Sequence, residues 1–306
     1  MKAFYCHHFV LPLPEGHRFP MSKYARLHER VTALAPLLGI ELLEPRAATD
    51  EELLRVHAAH YVRAMRDGSA DEALMRRIGF PWSAAMVERS RRSSGGTMLA
   101  LEAALSGEGV AVNLAGGTHH AGYERGGGYC VFNDAVVAAR HVQALGLARR
   151  LLVVDLDVHH GNGTAELCAD DATVFTFSVH AGRNYPAVKP DSDLDVALPD
   201  GTEDEAYLEA LSNHLPRAIA RAQADAVIYL AGADPFAGDR LGYLSLSKAG
   251  LAERDRQVLD ACRRHGLPLA VCMAGGYAPD VEDIVDIHET TVRLAAAHWH
   301  ERAGPA

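Results

Sequence analysis

The stretch VVDLDVHHGNGT, residues 153–164, runs from an apolar, β-branched segment into a cluster in which Asp155, Asp157, His159 and His160 fall within six residues. A strand covered on both faces reads as a nearly continuous run of Val, Ile and Leu. Carboxylates and imidazoles where such a strand ends must be solvated, paired or bound to an ion, because burying them alone is costly. Similar apolar runs occur at 109–114, 151–156, 173–178, 226–231 and 268–273. Helical patterns lie at 84–105, 131–146, 203–222, 247–265 and 280–298, with Ser247 as an expected N-cap. Strands alternating with helices predict an α/β domain with a mainly parallel sheet and helices on both faces. In such sheets ligands bind beyond the carboxyl ends of the strands. Every one of the five runs is followed by a Gly-rich loop bearing His, Asp or Tyr, so the strand ends are expected to build one site.

Composition fits that picture. The 306 residues are 48% hydrophobic and 23% charged, enough for one substantial core. The formal charge of −10 argues against nonspecific nucleic-acid or membrane-surface binding. The first residues lack the apolar core of a signal peptide, no stretch approaches the length of a membrane helix, and five unpaired-looking cysteines suit a reducing compartment. A cytoplasmic protein without nucleic-acid or membrane partners is the expectation, with one domain over residues 1–306. Buried packing is expected for Cys130, Cys168 and Cys272.

The loops carry recognisable chemistry. In an extended segment Asp155, Asp157 and His159 share a side, so Asp157 and His159 can reach one cation. On its own such a pair also fits a buried, hydrogen-bonded Asp. Asp234, which ends another apolar strand, supplies a third ligand and shifts the balance. Two carboxylates, one imidazole and an open position suit catalytic zinc, with iron(II) as the alternative. Neither neighbourhood carries a second ligand set, so one catalytic ion is expected. His119 and His120 can divide the work of base and acid, each needing a partner on its far nitrogen. Asp155 and Asn162 are the candidates, and an anionic partner on one ring and a neutral amide on the other predict unequal proton affinities. Tyr277, on the Gly-rich turn AGGYAPD, is placed to stabilise an oxyanion. The other pair, His7–His8, is expected to be structural.

These stretches together, GGTHHAGYERGGGYCVFNDAV (116–136), VDLDVHHGNGT (154–164), GADPFAGDRLGYLSLS (232–247) and AGGYAPD (274–280), resemble the zinc-dependent histone deacetylases and their bacterial relatives. LPEGHRFPMSKY (13–24) and GDRLG resemble the class IV branch. The resemblance implies an arginase/deacetylase fold with about eight strands and hydrolysis of an N-acyl-lysine, or a similar small acyl-amine, to amine and carboxylate. It implies zinc on Asp157, His159 and Asp234, the tandem histidines at His119 and His120 with Asp155 and Asn162 behind them, and a catalytic Tyr277. It further implies substrate-tunnel positions at Gly128, Tyr129, Tyr185 and Leu241. A structural potassium ion is implied at Asp155, Asp157, His159, Ser178 and Val179. The chain departs from the common pattern in three places. Asn162 replaces an aspartate, Tyr129 replaces a phenylalanine, and Leu241 stands where acetylpolyamine-specific relatives carry a glutamate. The competing readings are a polyamine deacetylase, a long-chain deacylase, a non-enzymatic acyl-ligand sensor, and a ureohydrolase, which would need the missing second ligand set.

Overall fold

Each β-branched run pairs in parallel with its neighbours in the computed structural model, which describes residues 1–11 and 13–303; residues 304–306, the end of the expected 1–306 domain, lie outside the described residues. The strands are β1 (Lys2–Phe4), β2 (Glu41–Leu43), β3 (Val110–Asn113), β4 (Leu151–Asp155), β5 (Val174–Ala181), β6 (Leu194–Leu198), β7 (Ala226–Leu230) and β8 (Leu269–Cys272). They form one sheet in the order β2-β1-β3-β8-β7-β4-β5-β6, with every pairing parallel rather than merely most of them. The architecture is the α/β single-domain sheet expected.

The alternation of side chains along the strands divides the interior into two cores. Leu152, Val154, Val227 and Tyr229 face one side, packed under α1 (Ser22–Leu38) and later helices. Leu151, Val153, Ala226 and Ile228 face the other, under α2 (Asp50–Leu54), α3 (Ala59–Asp67), α4 (Glu72–Ile78), α5 (Ala84–Ala103) and α6 (Asp134–Ala144). The short α7 (Asn162–Cys168) follows the opening stretch directly. The first core is closed by α8 (Asp204–Ala222), α9 (Lys248–Arg264) and α10 (Val281–Ala303). Ser247 caps α9 by accepting from the Gly250 N–H at 3.0 Å, as its position predicts. All five cysteines are buried, and none forms a disulfide among the described residues. No helix among the described residues is long and apolar enough to cross a membrane.

Several boundaries differ from the periodic reading. The helix expected over 84–105 ends at Ala103 and passes into a π turn over Ala104–Glu108, where Gly107 has φ 119°. The one expected over 131–146 begins at Asp134, because Asn133 is spent as its cap, accepting from Val136 N–H at 3.1 Å. The strand expected to end at residue 178 continues to Ala181 because β6 pairs along it.

Helix α9 also sends a charge into the interior. Arg254 is fully buried, and its Nη1 donates to the carbonyls of Leu156 (3.3 Å) and Gly232 (2.5 Å). Those residues follow β4 and β7, so one guanidinium ties the Asp157 loop to the Asp234 loop. Asp255 neutralises it at 2.8 Å and is held by Tyr229 and Thr291 hydroxyls at 2.5 and 2.6 Å. Removing one partner of such a buried pair strands the other charge, at a cost of about 3–5 kcal/mol. Arg254→Met should therefore lower unfolding free energy in urea by roughly that amount, and Arg254→Met/Asp255→Asn should recover part of it. A single-variant loss indistinguishable from zero would show that the clamp contributes nothing.

Candidate active site

The five polar loops meet at the carboxyl edge of the sheet. His119 and His120 follow β3, Asp155 ends β4 with Asp157 and His159 just beyond, Tyr185 follows β5, Asp234 follows β7, and Tyr277 follows β8. The opening stretch does not stay extended as its alternation predicts. Strand β4 stops at Asp155 and residues 157–159 bend. The bend separates the roles of the two aspartates. Asp155 turns to His119, while Asp157 meets His159 at 3.0 Å.

Asp157, His159 and Asp234 are all buried, and one ligand atom from each lies within 4.8 Å of the others. Asp157 accepts backbone N–H bonds from His159 (2.9 Å) and Gly275 (2.8 Å), and Asp234 Oδ1 accepts from Val158 (3.0 Å). Among the described residues Asp234 Oδ2 has no aligned hydrogen-bond donor, although His159 Nδ1 lies 3.2 Å away. Gly275 leaves the space open, since a Cβ there would sit 1.9 Å from that oxygen and 2.6 Å from Asp157 Oδ2. Burial and the neighbouring Asp157 charge push Asp234 up to about 7. Burial opposes ionisation of Asp157 too, but His119 and His159 hold its pKa well below the usual carboxylate range. Against the cost of burial, Asp157 and Asp234 raise His159 to about 10. A buried acceptor without an aligned donor, two carboxylates that repel, and one imidazole between them fit a divalent metal cation.

The tandem histidines sit beside this group with different partners. His119 Nδ1 is 2.6 Å from Asp155 Oδ2, and His120 Nδ1 is 2.7 Å from the Asn162 amide oxygen. Their Nε2 atoms are 3.2 Å apart, a separation that requires a proton between them. Burial disfavours charge on both rings. Asp155 and Asp157 overcome it at His119, raising it to about 9, whereas burial and the His119 charge leave His120 well below its ordinary value. The unequal affinities follow the unequal partners, as the sequence predicts.

The loop carrying the pair is fixed from behind. Asp134, buried at the start of α6, accepts from Gly117 N–H (3.0 Å), Thr118 N–H (2.7 Å) and two threonine hydroxyls. Asn133 donates to the Ala121 carbonyl and Thr164 Oγ1. His57 donates from Nδ1 to the Gly122 carbonyl and accepts the Asn133 N–H on Nε2. None of these three supports was identified from the sequence. Asn133 and Asp134 do lie within the matched stretch 116–136, whereas His57 carries no signal there.

A cavity of about 510 Å³ leads to the cluster. His120, Gly128, Tyr129, His159, Tyr185, Leu241 and Tyr277 all line it, so the expected tunnel positions are brought together. Gly128 has φ 52°, and a Cβ there would lie 2.5 Å from His120 Cδ2, so glycine is required for the ring to sit where it does. Tyr129 holds a left-handed φ of 66° and packs against Phe19 and Phe80 at 5.2 Å between ring centroids. Tyr185 crosses His120 edge-on at 4.8 Å. Tyr277 has its backbone clamped, its N–H to Asp239 Oδ2 (2.6 Å) and its carbonyl to Arg240 Nε (3.1 Å). That clamp fixes the backbone of a turn whose glycines suggest freedom. Burial and the Asp234 charge push the phenol of Tyr277 well above its ordinary pKa.

A smaller space of about 40 Å³ lies on the inner side, bounded by His119, His120, Tyr277, Phe19, Tyr24 and Lys23. Lys23 is 3% exposed; its ammonium bonds the carbonyls of Gly276 at 3.3 Å and Ala274 at 3.5 Å and lies over the rings of Tyr24, Tyr277 and Phe19, 5.3, 5.4 and 5.6 Å from their centroids. Sequence reasoning missed this buried ammonium, because a lysine at the start of an amphipathic helix reads as surface. It also missed a second group, His160, His180 and Asp195. The expected potassium residues lie nearby. Asp155 and Ser178 are partners in the β4–β5 register, Val179 follows, and the Ser178 hydroxyl is 3.0 Å from His180 Nδ1. His7 stacks on His28 at 3.8 Å, outside the site.

Comparison with known proteins agrees with this arrangement. The model of the histone deacetylase domain matches residues 17–292. A relative from Picosynechococcus sp., described only as an uncharacterized protein, is 44% identical over 94% of this chain and 95% of its own length. Histone deacetylase 2 of Arabidopsis thaliana is 31% identical over 85% of this chain and 70% of its own. Histone deacetylase 1 of Oryza sativa subsp. japonica is 30% identical over 95% of this chain, which spans 57% of the rice protein. The crystal structure of the HDA15 HD domain superposes with a TM-score of 0.79 over 96% of this chain and 90% of that one; at 23% identity it speaks for the arginase/deacetylase-type fold alone. With a family model matching almost the whole chain and five strand-end loops converging on one buried cluster, the protein belongs to the histone deacetylase family of hydrolases.

Proposed function

We propose that this protein is a zinc-dependent deacylase that converts N-acyl-lysine side chains to free lysine and a carboxylate. The observation that carries the reading is the convergence of Asp157, His159 and Asp234 at the inner end of a tunnel walled by His120 and Tyr277. An extended acyl-lysine side chain is the substrate proposed for this approach, with its amide reaching the cluster. Asp157, His159 and Asp234 hold the ion. Zinc is chosen over iron(II) because it stands higher in the general affinity order for such a site, and when bound it would supply Lewis-acid polarisation for the amide carbonyl and the attacking water. A monovalent cation on Asp155, Asp157, His159, Ser178 and Val179 belongs to the same proposal, supported by the pairing of Asp155 with Ser178.

The chain's own groups then divide the proton work. His119 and His120 act as one acid–base unit sharing a proton between Nε2 atoms 3.2 Å apart. Asp155 favours that proton on His119; once the bond between the rings opens, the free Nε2 lone pair of His120 takes a proton from water and returns it to the leaving amine. His120 is the ring of the two that lines the tunnel as well as the inner space. Asn162 orients His120 without charging it. Tyr277 donates its hydroxyl proton as a hydrogen bond to the carbonyl oxygen as that atom gains charge. Its high phenolic pKa keeps it a donor throughout.

Tyr277→Phe should reduce kcat on an acetyl-lysine peptide by about a hundredfold or more while leaving metal content intact; unchanged turnover would remove the hydroxyl from the mechanism. His120→Ala should cost between about a hundred- and ten-thousandfold, and more than His119→Ala in single-turnover assays. The reverse order would move the base to His119. Purified protein should contain one zinc per chain by elemental analysis and lose it with activity on chelation, and Asp234→Asn should not retain it. Metal-replete protein inert toward acetyl-lysine, longer acyl-lysine and N-acetylpolyamine alike would defeat the proposal.

A further inference from the structure

The tunnel mouth has a charge opposite to that of the protein. The chain carries a formal −10, yet the residues lining the 510 Å³ cavity include Arg76 and Arg77 and, among the described residues, no aspartate or glutamate. Both arginines come from the last turn of α4, which the loop Gly79–Ser83 follows. The negative end of a helix favours cations, which accounts for a basic residue there. It does not account for the missing carboxylates around the rest of the mouth, where Asn184, Tyr185, Leu241 and Tyr243 take their places.

The two guanidinium groups are available. Arg77 is exposed and has no ion-pair partner among the described residues. Among the described residues Arg76 is paired only with Glu72, four residues back on the same helix, at 3.0 Å with 70% and 92% of the side chains exposed. Such a pair is worth little and exchanges readily for another anion. A third cation stands close by. Arg240, also exposed, bonds the carbonyl of Tyr277 through Nε and precedes the lining residue Leu241. A substrate whose acyl-lysine enters the tunnel must lay its neighbouring residues across this rim.

We propose that the rim formed by Arg76 and Arg77 selects acyl-lysines flanked by acidic residues. This inference rests on the deacylase reading above. The same charges disfavour two other classes, lysine-rich peptides and N-acylated polyamines, whose remaining ammonium groups would be pressed against the arginines without a carboxylate to receive them. Rim charges act chiefly on encounter and ground-state binding, so the selection appears in KM and in kcat/KM, not in kcat.

The test uses three acetyl-lysine peptides of one length, flanked by Asp, Ala or Lys, each assayed for turnover and, with the Tyr277→Phe protein, for binding by fluorescence anisotropy. At low salt the acidic peptide should exceed the basic one by about tenfold in kcat/KM and in affinity. The ratio should shrink toward one at high salt, where screening is complete within a few ångströms. Arg77→Glu should invert the order, and Arg77→Gln should flatten it. Turnover with equal kcat/KM for the three peptides, or an order untouched by Arg77→Glu, overturns the rim proposal and leaves the deacylase reading standing. Charge-ordered binding without turnover in the unmodified protein supports the rim and overturns the deacylase reading. Absence of both binding and turnover overturns both.

Discussion

Two carboxylates forced together in a dry interior set the terms for the rest of this molecule. Asp157 and Asp234 are both buried, they repel, and one imidazole stands between them. Left alone the pair would separate or take up a proton, and the pressure is visible in the raised pKa of Asp234. What prevents separation is the backbone. The N–H groups of Val158, His159 and Gly275 each hold a carboxylate oxygen, and Arg254 ties the carbonyls of Leu156 and Gly232 from behind. These donors come from the loops just past β4 and β8 and from one buried arginine of α9, so the geometry is fixed before any ion arrives. A site built this way is preorganised in the sense that matters for catalysis, since little reorganisation remains to be done during reaction.

Much of this was legible because the signals were local. Strands β3, β4, β7 and β8 are short apolar runs covered on both faces, and such runs look alike wherever they occur. Asp157, His159, Asp234, His119, His120 and Tyr277 follow those runs directly, so the rule for parallel sheets brought them together without further information. Strands β1 and β2 have three residues each, and β6 alternates half-buried with exposed positions, which leaves too little pattern to detect. Arg254 and Lys23 were illegible for a different reason. Each is a long basic residue on an amphipathic helix, where the default is solvent, and only tertiary contacts show that it turns inward. The bend after Asp155 was likewise invisible, because residues 155–159 keep the alternation of a strand they no longer form.

The tandem histidines show how one neutral-for-charged exchange divides a pair. Both rings are buried and both have a partner on Nδ1 at nearly the same distance, 2.6 and 2.7 Å. Desolvation therefore penalises them alike. The difference lies in the second atom: a carboxylate behind His119 and an amide oxygen behind His120. An aspartate at position 162 would place a second anion behind the dyad and narrow the gap in proton affinity that Asn162 maintains. Asn162 thus assigns the proton within the pair and is not merely a smaller support for a ring.

His159 and His160 are adjacent in sequence yet belong to opposite kinds of cluster, and the contrast explains why residue type alone does not identify an ion site. His160 lies 3.2 Å from Asp195 and stands at 4.7 Å between ring centroids from His180, so it too has an aspartate and a second His at hand. There, however, Asp195 is partly solvent-exposed, and its oxygens already receive the Ser192 N–H at 2.7 Å and the His160 ring. The carboxylate is satisfied by donors and open to solvent; the atom left over in this group is a ring nitrogen, His160 Nδ1, and not a buried anionic oxygen. Around His159 the opposite holds. Asp234 is wholly buried, its Oδ2 lacks an aligned donor among the described residues, and a second carboxylate faces the same space. The ring nitrogen that faces both carboxylates, His159 Nδ1 at 3.0 Å from Asp157 and 3.2 Å from Asp234, carries at most one positive charge against two negative ones. What separates the two clusters is therefore an electrostatic deficit at one of them, and the reading of the site as a cation centre follows from that deficit more than from the DxH spacing that first drew attention to it.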